Sequence, residues 1–240
     1  MIAHFKLFVE AGDQEELHKF RVAVKKLRSF FVLAEHCNSS DGLLKSFEPV
    51  IKVFKQAGAV RDVYLKMKFS EQYQFASAGF RSEQQRLLAT DIIEIRHYAK
   101  KDLRMFAKTY RRLHSHITRI NNEAVVIFYQ RQLYQIAQIL SRKKFDEDLH
   151  TCRKKIKYLL YNYKPIGKKN AKGIALNVPY FDQLQKLIGN WHDKSSLIEL
   201  ASAKLSNHVD ISTLKTEIEK QKQGITTHCN GFWSKAVQTN

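Results

Sequence analysis

Four residues spaced three or four apart carry the first chemistry in this sequence: His18, Arg21, Lys25 and Arg28. At about 100° per residue they fall within a sector roughly 80° wide on one helix. Beside it runs a stripe of Leu17, Phe20, Val24, Leu27, Phe31 and Ala34, which reads as the core face. No acidic residue stands between Glu16 and Glu35. Stacked like charges repel one another, so the row makes sense if a line of anions neutralises it. A basic solvent face in a protein that is basic throughout is the plainer alternative. Arginine forks onto phosphate oxygens, lysine supplies a movable point charge, and a polyanion raises the protonated fraction of a nearby histidine, making it a further donor. The chemistry implied is capture of phosphate by charge and N–H donors.

The pattern recurs. Asp148–Tyr161 overlays the first helix at an offset of 132, pairing His18 with His150, Arg21 with Arg153 and Lys25 with Lys157. Farther on, Gly58-Ala-Val-Arg-Asp62 overlays Gly189-Asn-Trp-His-Asp193 at an offset of 131, so that Arg61 pairs with His192. Two halves thus each hold an H-x-x-R-x-x-x-K helix followed by a helix with a G-x-x-[basic]-D element.

This double pattern resembles the conserved-histidine α-helical domains, the CHAD family, over roughly residues 12–206. His18–Arg28 resembles the family's leading histidine helix, and Gly58–Asp62 its glycine-x-x-arginine-aspartate element. The resemblance implies two pseudo-symmetric bundles of the antiparallel four-helix type, with a basic groove between them that binds inorganic polyphosphate. It implies a binding or targeting module rather than an enzyme. Its partners would be polyphosphate, polyphosphate granules or polyphosphate-metabolising enzymes. Carried over position by position, the anion-binding residues are His18, Arg21, Lys25, Lys26, Arg28 and Arg61, then His150, Arg153, Lys157 and His192. Tyr158 and Leu160 stand where the first half has Lys26 and Arg28, so the second half offers fewer charges. Lys154 compensates only if its helix presents it. Lys52, Lys55 and Lys186 lie just upstream of the two glycine elements and could widen the groove, although a solvated face explains them equally well. Asp62 and Asp193 would orient a neighbouring cation or cap a helix.

The elements that must position these groups are helices. The chain has 240 residues, 41 Lys and Arg against 23 Asp and Glu, and a formal charge of +18. With 44% hydrophobic residues it can bury a core, which a disordered basic tail cannot. Only nine Gly and three Pro are present, and none between Phe80 and Lys164, which excludes a turn-rich β architecture. An all-α chain of seven or eight helices is expected, forming a single domain over 1–240 with half-repeats at about 12–120 and 142–235. Breaks are expected at Cys37–Gly42, near Gly58 and Gly79, at Arg119–Glu123 and Ser141–Asp148, and in a loop at Pro165–Gly173. Asn177-Val-Pro179 should open a helix, Asp146-Glu-Asp148 should form another helix's N-terminus, and the last clear helix should begin near Asp210.

Three scattered cysteines without a CxxC suggest neither a disulfide framework nor a Cys-type zinc site. There is no signal peptide or membrane-length apolar run, so a cytoplasmic protein is expected; association with polyphosphate granules is what the family resemblance implies. No nucleotide-binding or hydrolase motif occurs, and neither catalytic residues, metal nor cofactor are expected. Arg104, Lys108, Arg111 and Arg112 form a second basic stretch, either an extension of the groove or an exposed face. The alternative ligand is nucleic acid held by its sugar-phosphate backbone. Against it, no helix-turn-helix or RNA-module signature is present.

Overall fold

The computed structural model describes residues 1–38, 42–73, 77–117, 120–170, 174–204 and 212–237. Among them the fold is all-α, with nine helices and a single isolated β-bridge between Leu176 and Val237. The chain divides into two compact units, one of Met1–Glu35 and Ser39–Arg119, the other of His36–Asn38 and Ile120–Asn240.

The first unit holds α1 (Ile2–Ala11), α2 (Gln14–Asn38) as far as Glu35, α3 (Leu43–Gln72) and α4 (Ala78–His114). Helix α1 was not evident from the sequence, since ten residues with Phe5 and Phe8 on one side form a stable helix only when that side is covered. Both rings are fully buried. Phe5 meets Phe20 of α2 at 5.1 Å between ring centroids and Phe106 of α4 at 5.2 Å. Phe20 and Phe106 close the trio at 5.9 Å. Gly12 ends α1 with φ 72°, a left-handed cap whose N–H donates to the Phe8 carbonyl. Asp13 then opens α2 by accepting from the Glu15 N–H at 2.8 Å. Helix α3 joins through Phe47, 5.0 Å from Phe31. The Glu35 carboxylate accepts from the N–H groups of Gly42 and Leu44 at the start of α3. Ser77 caps α4, and the Arg96 guanidinium of α4 donates to the Val9 carbonyl at the end of α1.

The second unit holds α5 (Asn122–Ser141), α6 (Glu147–Asn170), α7 (Val178–Lys204), α8 (Ser212–Cys229) and the short α9 (Phe232–Ala236). Its core includes Phe128, Tyr129, Ile136, Ile156, Leu159, Phe181, Leu184 and Ile188. The Tyr129 hydroxyl donates to the Leu159 carbonyl at 3.0 Å, tying α5 to α6. Tyr180 of α7 stacks on His228 of α8 at 4.6 Å. As anticipated, Asp146 opens α6, accepting from the Asp148 N–H, and Asn177 opens α7, accepting from the Tyr180 N–H.

Several expectations change. Gly58 does not interrupt a helix; α3 runs unbroken through it. Gly79 lies in the first turn of α4. The loop expected from Pro165 is helical as far as Asn170, with Pro165 inside α6: the ring removes one backbone hydrogen bond without ending the helix. Leu27 is 37% exposed, whereas Ser29 and Leu33, off the expected stripe, are fully buried. The C-terminal half of α2 is therefore covered on more than one side, and a single stripe describes only its first half. Residues 39–41, 118–119, 171–173 and 210–211, where parts of the expected turns and the start of the last helix fall, lie outside the described residues.

Candidate functional site

In the first unit, α2 and α3 bring His18, Arg21, Lys25 and Arg61 to one place. Arg21 is half-buried, and its Nη1 donates to the Phe54 carbonyl of α3 at 2.8 Å. Its guanidinium also lies 4.4 Å from the centre of the Phe54 ring, which Lys25 Nζ approaches at 5.9 Å. Burial lowers the pKa of Arg21, and so does the Arg61 charge, while Asp62 opposes the shift. The pKa of His18 is lowered first by burial and then by Arg61, with Lys25 and Arg21 adding to the effect and Glu15 opposing it. Four groups that act on one another in this way form a single cationic cluster. Arg61 packs against the Tyr64 ring at 5.1 Å.

The second unit repeats part of this arrangement on α6 and α7. Arg153 Nε donates to the Gln185 carbonyl at 3.1 Å. Each arginine therefore binds the carbonyl four residues before the glycine of its unit, Gly58 or Gly189. Where the first unit has His18 beside Arg61, the second has His150 against His192, with ring centroids 4.2 Å apart and planes inclined by 32°. His150 Nδ1 is buried with no hydrogen-bond partner. Burial, followed by His192 and then Lys154, pushes the His150 pKa down to about 4, although Glu147 opposes the shift. A neutral imidazole is the resting state there. Lys157 is half-buried, its pKa lowered by burial and by Arg153 and supported by Asp193 and Asp182.

The remaining expected residues are less committed. Lys26 and Arg28 are exposed on α2, and Lys52 and Lys55 on α3. Lys154 is presented to solvent and forms a 3.5 Å ion pair with Glu147; Lys186 forms one with Asp182 at 2.6 Å. Exposed pairs of this kind are worth little. Asp62 and Asp193 cap nothing, because α3 and α7 run through them. Among the described residues, no three or more His, Cys, Asp or Glu gather so as to hold a metal ion, and no helix is long and apolar enough to cross a membrane.

Sequence reasoning missed Phe54 and Gln185. The shared feature at these positions is a backbone carbonyl, which no side-chain pattern announces; Phe and Gln have nothing else in common here.

The model of the CHAD domain family matches residues 1–202 of the chain. No curated protein and no solved structure matches it.

Proposed function

The chain belongs to the CHAD domain family, known for binding polyphosphate, and from that premise we propose that it binds inorganic polyphosphate through its two histidine helices, α2 and α6, without chemistry of its own. One observation carries the reading: in each unit a guanidinium is fixed on the neighbouring helix beside a histidine and a lysine. A polyphosphate chain presents a dense row of equivalent oxyanions, which suits arginines already oriented, with lysines as point charges beside them. His18 and His150 have lowered pKa values in the free protein. They become donors when a bound anion offsets the surrounding positive charge. Lys26, Arg28, Lys52, Lys55, Lys154 and Lys186 extend the cationic surface. Granules or polyphosphate-metabolising enzymes are the proposed setting.

A competition titration tests this. Labelled long-chain polyphosphate is bound at roughly 0.15 M salt, where non-specific attraction is already weakened, and challenged with duplex DNA, RNA and heparin. The His18→Ala/Arg21→Ala/Lys25→Ala/Arg28→Ala variant runs alongside. Clear preference for polyphosphate, lost in the variant, supports the reading. Equal displacement by nucleic acid, with an unaffected variant, refutes it and leaves the +18 charge acting as a general polyanion attractor.

A further inference from the structure

Gly58 and Gly189 are buried inside α3 and α7. Glycine is the poorest helix former after proline, and neither position has a positive φ that would call for it. What surrounds them explains the choice. A Cβ on Gly58 would stand 2.6 Å from Arg21 Nη1, 3.4 Å from Cζ and 3.5 Å from Nη2. On Gly189 it would stand 2.7 Å from Arg153 Nη2, 2.8 Å from Nε and 2.9 Å from Cζ. At both sites the three nearest atoms belong to a guanidinium and none to the backbone of a packed helix. Close approach of two helices is therefore not the reason for the glycine. Gly79 and Gly224, by contrast, would meet nothing within 4 Å.

The helix geometry accounts for the match. Side chains of an α-helix lean toward its N-terminus, so the residue at position i covers the carbonyls one turn earlier. Without a side chain at 58 or 189, the carbonyl of residue 54 or 185 is uncovered and can take a second donor beside its own helical N–H. That donor is Arg21 in one unit and Arg153 in the other. The flanking sequences, Gln56-Ala-Gly58-Ala-Val-Arg and Leu187-Ile-Gly189-Asn-Trp-His, share little else.

We propose that Gly58 and Gly189 are positioning residues. Each leaves a seat on its helix in which the arginine of the histidine helix is held by one carbonyl, its remaining N–H groups kept for phosphate oxygens. A guanidinium has five N–H donors, and the carbonyl takes one. Holding it before the ligand arrives spares the ordering of a long side chain on binding. This deepens the polyphosphate reading and rests on it.

Medium-chain sodium polyphosphate is the probe, titrated into Gly58→Ala and Gly189→Ala, each alone and combined with Arg21→Lys or Arg153→Lys respectively. Arginine ends are flexible, so an added methyl displaces the guanidinium rather than the helix. Gly58→Ala should bind about tenfold more weakly, with a thermal midpoint no lower than the parent's. In the Arg21→Lys background, where no guanidinium needs the seat, the same glycine change should alter affinity by less than about twofold. An equal loss in both backgrounds, or no loss in either, overturns the proposal. A second readout needs no polyphosphate: the Arg153 Nε–Hε resonance in a 15N spectrum should be displaced from the free-arginine position and return there in Gly189→Ala. An unchanged resonance overturns the seat. A resonance that returns in a protein whose parent does not bind polyphosphate supports the seat and sinks the polyphosphate reading instead.

Discussion

On the proposed reading, the His150–His192 contact predicts a defined pH dependence for polyphosphate binding. In the free protein the His150 pKa is about 4, so between pH 5 and 7.5 its ring is almost wholly neutral. A bound polyanion favours the protonated ring, and affinity must rise as pH falls through any window where the complex holds a proton that the free protein lacks. If the anion restores His150 to its ordinary value of 6.5, the gain is (1 + 10^(6.5−pH))/(1 + 10^(4−pH)). That ratio is about 1.1 at pH 7.5, about 4 at pH 6 and about 30 at pH 5. The assay is a fluorescence-anisotropy titration of labelled long-chain polyphosphate at constant ionic strength, run from pH 7.5 to 5 on the parent and on His150→Gln. Internal phosphates of a long chain stay ionised throughout, and every other side chain is common to both proteins, so the difference between the two curves isolates His150. Tighter binding at low pH in the parent, shallower in His150→Gln, is the expected outcome. Parallel curves refute the reasoning, since the proton taken up would then reside elsewhere.

Three further outcomes are expected. Replacing Arg21, Lys25 and Arg28 with Ala should weaken polyphosphate binding more than replacing Arg153 and Lys157, and each lost phosphate contact should flatten the salt dependence by about one log unit per log unit; equal losses would contradict the view that the second unit is the weaker. Without ligand, folding stability should fall as pH drops from about 6.5 toward 4, because the unfolded His150 binds a proton there and the folded one does not; a urea series with a flat midpoint over that range, or an identical slope in His150→Gln, would refute it. Phe106→Ala, which removes the ring shared by Phe5 and Phe20, should cost about 3–5 kcal/mol, read as a lower urea midpoint; a change below about 1 kcal/mol would show that the aromatic trio does not hold α1 in place.

Much of this was legible in the sequence where periodicity and capping act locally. Leu17, Phe20 and Val24 mark the buried side of α2, and His18, Arg21 and Lys25 follow from it by helical spacing alone. Asp146 and Asn177 announce helix starts because a short polar side chain satisfies N–H groups within one turn. Features that depend on distant chain were not legible. Helix α1 depends on rings from α2 and α4, Leu33 is buried although it lies off the stripe, and Pro165 sits in a helix that continues past it. Gly58 is the clearest case. As a letter it signals a break; in the fold it is the uncovered patch of a continuous helix, and only the guanidinium lying on it gives the reason.

The two clusters share a fixed element and differ in a variable one. The fixed element is an arginine bound to a helix carbonyl, which the backbone supplies at residue 54 and at residue 185 alike; at Phe54 the ring adds a contact with the guanidinium. The variable element is the neighbour of the histidine. In the first unit it is Arg61, which, after burial, lowers the His18 pKa. In the second unit it is His192, whose ring centroid lies 4.2 Å from that of His150 and which, after burial, lowers the His150 pKa. The first cluster offers attraction that is present before the ligand arrives. So does the second, through Arg153 and Lys157, and on the polyphosphate reading its His150 adds a donor once a bound anion favours the protonated ring. On the polyphosphate reading both His18 and His150 take up protons with the ligand, so both clusters make binding depend on pH in the range where imidazole titrates.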